Sequence, residues 1–506
     1  MRSQNEAFPP STARRAIFGA GLLLVLVAAA RCGNAGPKEA VGAVTVLRVG
    51  IGGLPSQAPE RGVQQFISNL SFEQLFRVDQ EGRVQPALAR SWRLSPDAML
   101  LTVELRPNVT FQDGSPLDAQ TTATILQDGL KRALGPAYED VESISATAAN
   151  EVVVKFRRPT PFVAESLDVP MQKPGSTAIG TAPFMVAPNS PSGTPSSEMV
   201  AHDGYYLGKP SINRIVISAY PNVRAAWADM LRDRLDMLYE VSVDALGSME
   251  GASNVSLYTF DRPYQYEVVL NSRSPKLQSP KVRRALNQAI DRAAVVRSAL
   301  SGHGTPSVGP VSPHHWAFRD AGPTFTYLPS AAAEALAPKG ERMTLKVLTL
   351  AGPPFERLAL VLKQQLREVG VDMSIDEVAS TDLSAAMSRP DFEGLLIDVA
   401  SGWSLFRPYR WWHSKGNSNL SGFASPSVDA ALDRVRHSAN EDDYRAGAAA
   451  FQQAIADDPP AIFLAWGDRA RAVTRRFDVQ PEPGRDVLST LRLWRPTGSA
   501  APASRN

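Results

Sequence analysis

Turn-forming residues recur at short intervals through residues 70–129 and divide this stretch into short segments of regular structure. Two tight turns are predicted, at 79–82 and 95–97, because aspartate, serine, proline and glycine favour turn positions. Apolar residues then alternate with polar ones through 101–105, which is the period of a half-buried strand. Asp118 is placed to cap the helix that follows it. The stretch therefore predicts closely spaced strands followed by a helix.

A β-α-β order is predicted in the second half of the chain. Residues 344–350 and 371–375 have the apolar pattern of strands, and 355–369 has the period of an amphipathic helix. Gly370 is expected to end that helix. Another strand is predicted at 394–399. Units of this kind build parallel sheets with right-handed crossovers, so an α/β fold is expected.

The remaining elements follow from the same rules. Residues 72–76 place three apolar side chains on one face of a helix-like segment. Ser279 is expected to cap a helix with Pro280 at its first position and an apolar face that continues to Ala293. The other predicted elements are strands at 44–51, 212–220, 266–270 and 462–466 and helices at 223–231 and 444–456.

Length and charge restrict the class of protein. At 506 residues, two or three domains are expected, and 43% hydrophobic with 21% charged residues is typical of a soluble globular protein. The formal net charge is +2, but residues 1–31 contribute four arginines and one glutamate. The remainder carries 49 basic and 50 acidic side chains, a formal charge of −1. This balance indicates no nucleic-acid partner, since such proteins carry a basic surface.

Residues 1–31 have the pattern of a secretory signal peptide. Arg14 and Arg15 precede fourteen apolar or small residues at 17–30. That run is shorter than the ~18–20 residues that a membrane-spanning helix requires. We therefore expect an exported protein in the periplasm or at the cell surface. The general secretory route and the twin-arginine route both stay open.

Cys32 is the only cysteine of the chain, so no disulfide can form within it. A cysteine at this place carries the lipid in bacterial lipoproteins, where a small residue precedes it. Here Arg31 precedes it, and two alternatives stay open: lipid attachment at Cys32, or cleavage after Ala30 without lipid. Residues 32–43 are expected to form a tether, and 496–506 a disordered tail.

Several motifs resemble the family 5 solute-binding proteins of ABC importers, which include dipeptide, oligopeptide and nickel receptors. The run pro-ala-leu-ala followed by ser-trp stands at 86–92, and phe-x-asp-gly-x-pro-leu stands at 111–117. IGTAPF at 179–184, HDGYYLGKP at 202–210 and VRRALNQAIDRAAVV at 282–296 are further matches. The resemblance extends over nearly all of the chain after the tether.

This resemblance implies a two-lobed fold of the periplasmic binding protein type (type II), with an additional domain and a ligand cleft between the lobes. By that analogy lobe I combines 44–72, 176–262 and 463–495. The additional domain covers 73–175, and lobe II covers 263–462. Ligand contacts with both lobes would then stabilise a closed state through a hinge.

Motifs that carry catalysis are not found. The sequence has no Gly-x-Ser-x-Gly, no His-Glu-x-x-His, no phosphate-binding P-loop and no paired cysteines for zinc. Among six histidines, only His314 and His315 are adjacent, and a loop between prolines is their ordinary interpretation. We therefore expect a binding protein rather than an enzyme, with no cofactor and no metal.

The strand ending at Val399 should direct the loop that follows it towards the cleft, because ligands bind beyond the carboxyl ends of parallel strands. The aromatic residues of this loop offer flat apolar faces, and its arginines offer forked donors suited to carboxylate or phosphate. Trp411 and Trp412 are instead expected to begin a helix that packs into the lobe. The candidate ligand contacts in the loop are Trp403, Phe406, Arg407, Tyr409, Arg410 and Asn419.

The loop also departs from the peptide receptors it resembles. They carry a trp-x-x-asp-tyr run here, in which the aspartate holds the amino terminus of a peptide. In this chain Phe406 stands three residues after Trp403, and Arg407 follows. A buried ammonium without an acidic partner has a desolvation cost of several kcal/mol. An aromatic or apolar ligand with an anionic group is therefore favoured over an ordinary peptide.

The resemblance adds four cleft residues from other segments, which are Gln57, Tyr264, Tyr266 and Trp466. Each of these four residues could instead lie in the protein core or at the rim of the cleft. Asn419 either contacts the ligand or stabilises its own loop. The expected function is capture of a small solute outside the cytoplasm by a monomer and its delivery to ABC permease subunits. The alternative is a structural or chaperone-like surface lipoprotein that kept the fold without transport.

Overall fold

The structure is a computed structural model that describes residues 45–53, 59–160, 169–188, 196–241, 243–320, 325–352, 354–379, 381–387 and 392–498. Over these ranges, no helix combines the length and the apolar character that crossing a membrane requires. The predicted signal peptide, the tether with Cys32, Gln57 and residues 499–506 lie outside the described residues.

Nineteen strands are found in the described residues. They are β1 (Val46–Gly52), β2 (Phe76–Val78), β3 (Val84–Pro86), β4 (Ala89–Leu94), β5 (Leu100–Leu105), β6 (Val141–Ala148), β7 (Glu151–Phe156), β8 (Phe184–Val186), β9 (Ser196–Ala201), β10 (Arg214–Tyr220), β11 (Met237–Val241), β12 (Val255–Leu270), β13 (Gly304–Pro306), β14 (Met343–Leu350), β15 (Val371–Val378), β16 (Gly394–Ala400), β17 (Ala461–Thr474), β18 (Phe477–Asp478) and β19 (Arg495–Pro496).

The α-helices of the same residues are α1 (Pro59–Ser71), α2 (Ala119–Leu134), α3 (Val223–Leu231), α4 (Val243–Glu250), α5 (Pro280–Gln288), α6 (Arg292–Ala299), α7 (Pro329–Leu336), α8 (Phe355–Glu368), α9 (Leu383–Met387), α10 (Phe406–Trp412), α11 (Pro426–Arg436) and α12 (Glu441–Asp457). Short 3₁₀ helices lie at Gly135–Asp140, Pro275–Leu277, Pro338–Gly340 and Val487–Leu493. The helix predicted at 223–231 has the same bounds in α3, and the predicted β-α-β order is found in β14, α8 and β15.

Eleven strands form the main sheet in the order β15-β14-β16-β12-β17-β11-β1-β10-β9-β8, with β13 paired to β17. β14 is parallel to both β15 and β16, which confirms the predicted parallel units. We call β14, β15 and β16 the β14 half of the sheet, and β1, β8, β9, β10 and β11 the β1 half. β12 and β17 lie antiparallel to each other between the two halves and join them.

The pairing of β12 with β17 slips where the two halves meet. Asp261 lies opposite Asp468 and Gln265 lies opposite Trp466, so three residues of β12 oppose the single residue Gly467 of β17. Extra residues of this kind bend a strand and increase its twist. A Cβ at Gly467 would lie 2.6 Å from the Tyr266 ring, so glycine permits this close approach.

A second, antiparallel sheet has the order β4-β5-β7-β6, and α2 packs against it. The Asp118 carboxylate accepts a hydrogen bond from the Thr121 N–H at 2.7 Å, which confirms the predicted helix cap. β2 and β3 form a hairpin whose turn is the predicted 79–82 segment. In this turn the Asp79 carbonyl accepts from the Gly82 N–H at 3.1 Å.

Two predicted helices differ from the structure. The prediction of a helix-like segment at 72–76 is wrong, because α1 ends at Ser71 and Phe76 pairs with Pro86 in the hairpin. The helix that starts at Pro280 ends at Gln288, and a new helix begins at Arg292. The buried Arg292 guanidinium binds two carbonyls at the break, that of Asn287 at 3.0 Å and that of Ile290 at 3.2 Å.

Candidate functional site

Three of the predicted ligand contacts come from two neighbouring strands at the centre of the main sheet and from the loop after a third. Ala400, the last residue of β16, lies opposite Tyr264 on β12, and Trp466 on β17 lies opposite Gln265. Trp403 follows Ala400 by three residues. The side chains of Trp403, Tyr264 and Trp466 are all partly exposed. The structure therefore brings these three aromatic residues to the region where the two halves of the sheet meet.

The loop after β16 is held against the segment that follows β13. The Ser401 hydroxyl donates to the Pro310 carbonyl at 2.8 Å, and the Gln265 amide donates to the Gly309 carbonyl at 2.8 Å. Gly402 has φ of +54°, a left-handed conformation that glycine adopts readily. These contacts fix the path of the backbone that leads to Trp403.

The turn of the β2–β3 hairpin lies directly on this loop. Gly82 has φ of +79°, and a Cβ there would lie 2.5 Å from the Trp403 carbonyl oxygen and even closer to the His315 ring. The Glu81 carbonyl accepts a hydrogen bond from the Trp316 N–H at 2.8 Å. The hairpin, which precedes the four-stranded sheet, therefore contacts the loop that carries a candidate ligand residue.

His315 belongs to an aromatic cluster beneath this turn. Its ring stacks near those of Trp316 and Tyr444, with interplanar angles of 26° and 13°. Burial, followed by the nearby Arg83 guanidinium, lowers the pKa of His315 to about 4. His315 is therefore neutral at ordinary pH, and its ring serves as an aromatic surface in this cluster.

Phe406 and Tyr409 lie in the core rather than in the cleft. Within α10, Phe406 is 4% exposed and Tyr409 is 1% exposed. The Tyr409 hydroxyl accepts a hydrogen bond from Arg436 at 2.9 Å, and burial raises the pKa of Tyr409 to about 12. Neither side chain is accessible to a ligand in this conformation, which corrects the expectation from sequence. The helix itself also ends at Trp412, so Trp411 and Trp412 do not begin it.

Arg410 and Asn419 hold the end of the loop. Arg410 Nε donates to the Asn417 side chain at 2.9 Å. The Asn419 amide donates to the carbonyls of Phe423 at 2.7 Å and His413 at 3.2 Å. The structure thus favours the loop-holding alternative for Asn419. Arg407, in the first turn of α10, is partly exposed and remains a candidate for an anionic group.

Tyr266 takes part in a buried ion cluster that the sequence did not indicate as a unit. Its hydroxyl accepts a hydrogen bond from Arg469 at 2.9 Å. Arg469 pairs with Glu240 of β11 at 3.0 Å and with Asp398 of β16 at 3.3 Å. Burial opposes the charge of Arg469, but these partners outweigh it and raise its pKa above the ordinary value. Tyr266 is 1% exposed and is therefore a core residue.

One feature of the sequence could have indicated this cluster. β17 is almost entirely buried, yet it carries Arg469 and Arg471 at alternate positions. A buried arginine needs acidic partners. Their identity depends on strands far apart in the chain, since Asp398 and Tyr266 lie 71 and 203 residues from Arg469.

The comparison with family models gives a match at residues 83–419 to the bacterial extracellular solute-binding proteins, family 5. The chain belongs to this family. Among curated relatives, it is 24% identical over 478 residues to the oligopeptide-binding protein AppA of Bacillus subtilis, covering 85% of this chain and 87% of that protein. It is 23% identical over 406 residues to heme-binding protein A of Haemophilus influenzae, covering 70% and 73%.

Solved structures show the same fold. NikZ from Campylobacter jejuni, in complex with Ni(L-His), has a TM-score of 0.77 at 20% identity and covers 89% of this chain and 99% of its own. AppA from Bacillus subtilis, in complex with a nonapeptide, has a TM-score of 0.74 at 20% identity with the same coverage. This family 5 solute-binding protein therefore has the two-lobed α/β fold that its motifs predicted. Members of the family bind small ligands outside the cytoplasm and work with ABC permeases.

Proposed function

We propose that this protein captures a small organic solute with a flat apolar part and an anionic group, and presents it to the permease of an ABC importer. The observation that carries this proposal is the position of three partly exposed aromatic residues near the centre of the main sheet: Tyr264 on β12, Trp466 on β17, and Trp403 three residues beyond the end of β16. Flat aromatic faces at the junction of two lobes suit a planar ligand that touches both. Closure is then stabilised by ligand contacts that exist only in the closed state.

The preference for an anion rests on what surrounds these aromatic residues. Phe406 occupies the position of the acidic residue in peptide receptors, and it is buried. The carboxylates of Glu240 and Asp398 near the junction both pair with Arg469. Arg407 follows Phe406 and is partly exposed. The ammonium group of a ligand would therefore compete with Arg469 for Glu240 and Asp398. A carboxylate or phosphate group of a ligand would instead meet the guanidinium of Arg407.

Two probes that differ mainly in charge test this preference. Indole-3-acetate and tryptamine share an indole ring, and calorimetry should show tighter binding of the acetate. Trp403→Ala should weaken that binding, whereas Trp92→Ala, on β4 of the smaller sheet, should leave it unchanged. Preferential binding of tryptamine, or of ordinary dipeptides, would contradict the proposed ligand class. Mass spectrometry of ligand released from denatured native protein identifies the natural solute.

The cellular form of the protein is part of the same proposal. We infer a monomer without catalytic activity or nucleic-acid partner, exported through the signal at 1–31, with Cys32 as the site of lipid attachment if it is retained. Mass spectrometry of membrane and soluble fractions distinguishes a lipidated Cys32 from a form cleaved after Ala30. A full-length cytoplasmic chain would contradict export. If a strain that lacks this protein still takes up the identified ligand, the non-transport alternative is supported.

A further inference from the structure

A pocket lies away from the junction of the sheet halves. Its volume is about 460 Å³, and it is enclosed by the end of α1, the β2–β3 hairpin, residues 205–207 and the 3₁₀ helix Val487–Leu493. Every lining residue precedes residue 208 or follows residue 481. The pocket is therefore formed without β12, β16, β17 or the loop that carries Trp403.

The charged lining of this pocket has an excess of cations. Four arginines and two glutamates contribute to its walls, a formal charge of +2 on a chain that is nearly neutral once residues 1–31 are excluded. A concave surface with one sign of charge attracts ions of the opposite sign. The charged lining residues are Arg77, Arg106, Arg485, Arg492, Glu73 and Glu482.

The two glutamates are already engaged. Glu73 accepts hydrogen bonds from three hydroxyl groups, those of Tyr205 at 2.9 Å, Tyr206 at 3.1 Å and Thr181 at 3.0 Å. Burial raises the pKa of Glu73, while these hydrogen bonds and the Arg106 guanidinium oppose that effect. Glu482 forms an ion pair with Arg485. Both carboxylates therefore already have partners, and the lining keeps its formal excess of two positive charges.

Three arginines, of which Arg77 is exposed and Arg106 and Arg492 are partly exposed, keep donors that bond to no described residue. Arg106 donates its Nε to the Ala87 carbonyl at 2.7 Å, while neither of its Nη atoms bonds to any described group. Arg77 and Arg492 make no hydrogen bond or ion pair with any described residue. Burial and the neighbouring Arg485 together lower the pKa of Arg77. An anion between these guanidinium groups would relieve their repulsion and accept their donors.

We propose that this pocket binds a small organic anion bearing carboxylate or phosphate groups, at a site separate from the cleft between the lobes. The volume falls within the ~300–1,000 Å³ of ordinary ligand pockets. Guanidinium groups bind carboxylate and phosphate with paired hydrogen bonds. Leu207 and Leu493, which are 46% and 40% exposed, add apolar surface at the rim that suits an organic ligand more than a bare ion.

Calorimetry with citrate and with inorganic phosphate, at constant ionic strength set by chloride, tests the proposal. Citrate should bind more tightly than phosphate, and Arg77→Ala combined with Arg492→Ala should weaken it by about tenfold or more, given the strength of charge-assisted hydrogen bonds. Arg93→Ala, on exposed β4, is the matched control for loss of positive charge. Equal citrate affinities in the Arg93→Ala control and in the double variant would contradict the proposed site.

Two further measurements distinguish citrate binding in this pocket from binding elsewhere on the protein. Trp403→Ala should leave citrate binding unchanged, so loss of binding in that variant would place citrate in the cleft and overturn the proposal. If the double variant fails to fold, the single Arg77→Gln variant should still show weaker citrate binding, and unchanged affinity would count against the site. Binding to anionic lipid vesicles without any binding of soluble citrate would assign the arginines to a headgroup instead.

Discussion

Arg469 of β17 forms an ion pair with Glu240 of β11 at 3.0 Å, at the point where β12 and β17 lose their register. The same guanidinium reaches Asp398 of β16 at 3.3 Å. Glu240 belongs to the β1 half of the main sheet and Asp398 to the β14 half. One side chain therefore connects the two halves beside the residues proposed to contact ligand.

Replacing Arg469 by methionine should destabilise the protein strongly, because it removes the cation shared by the buried Glu240 and the partly buried Asp398. The expected loss in free energy of unfolding is about 3–5 kcal/mol, measured by urea denaturation. Arg342→Met is the control, since Arg342 pairs with Asp372 in an exposed position and should cost no more than about 1 kcal/mol. Similar losses in the two variants would show that the buried cluster adds little.

Tyr409→Phe should reduce stability without altering ligand affinity. The change removes the hydroxyl that accepts a hydrogen bond from the buried Arg436, and bonds to charged groups contribute about 1.5–3 kcal/mol. Tyr327→Phe, at an exposed position, should change the melting temperature little. If Tyr409→Phe binds the natural ligand more weakly while its stability is unchanged, Tyr409 contacts the ligand after all.

Gly82→Ala should destabilise the protein more than Gly114→Ala does. Both glycines have positive φ, +79° and +83°, so backbone strain of about 1–2 kcal/mol is common to the two variants. Only at Gly82 would the new Cβ meet the Trp403 carbonyl, whereas nothing lies within 4 Å at Gly114. Displacing the hairpin from the Trp403 carbonyl should lower the free energy of unfolding of Gly82→Ala by roughly 1–3 kcal/mol more. Equal losses in denaturation would mean that the turn shifts without resistance.

Asp140 should make the protein less stable in acid. Burial opposes its ionised form, but His437, Arg436 and Arg158 outweigh this effect and lower its pKa. A carboxyl with a lowered pKa contributes stability above its unfolded value near 3.8, and this contribution is lost as pH falls through the folded value. Asp140→Asn should therefore flatten the decline in stability measured by urea unfolding below about pH 4. An unchanged acid profile in the variant would contradict this assignment.

Glu267 should have the opposite pH dependence. It is fully buried, neither oxygen has a hydrogen-bond partner among the described residues, and burial raises its pKa well above 4.5. Stability should then fall as pH rises above 4.5, because ionisation favours the unfolded chain. Glu267→Gln should remove this decline and make the protein more stable at about pH 8 than the unmodified chain. If the stability of Glu267→Gln falls with pH at the same slope, other groups cause the decline.

The sequence predicted those features whose determinants are local. The Asp118 cap and the hairpin turn at 79–82 depend on residues within a few positions of one another, and each element of the β14-α8-β15 unit shows its own apolar period in a short stretch of sequence. The placement of Phe406 and Tyr409 could also have been anticipated, because residues three apart share one face of a helix. The resemblance of this segment to a cleft loop of the peptide receptors predicts ligand contacts, whereas its helical spacing indicates a buried face.

The ion cluster and the arginine-lined pocket could not be predicted in this way. Arg469 meets Asp398 and Tyr266 only because the strand order places β16, β12 and β17 side by side. The pocket likewise combines Arg77 with Arg485 and Arg492, more than four hundred residues later in the chain. Residues so far apart in the sequence come together only in the folded chain, so their spacing does not predict these sites.

The contact of Gly82 with the Trp403 loop affects how tightly any solute is held. This contact, like the ion pair of Asp140 with Arg436 at 2.6 Å, joins the region around the four-stranded sheet to the segments after β16 without involving a ligand. If the lobes separate, both contacts must break. If these contacts also form without a ligand, they favour the closed state of the empty receptor, and the apparent dissociation constant of a solute would depend on the closed fraction as well as on the solute itself. Changes at Gly82 should thus alter the affinities of all solutes by one common factor and leave their ranking intact.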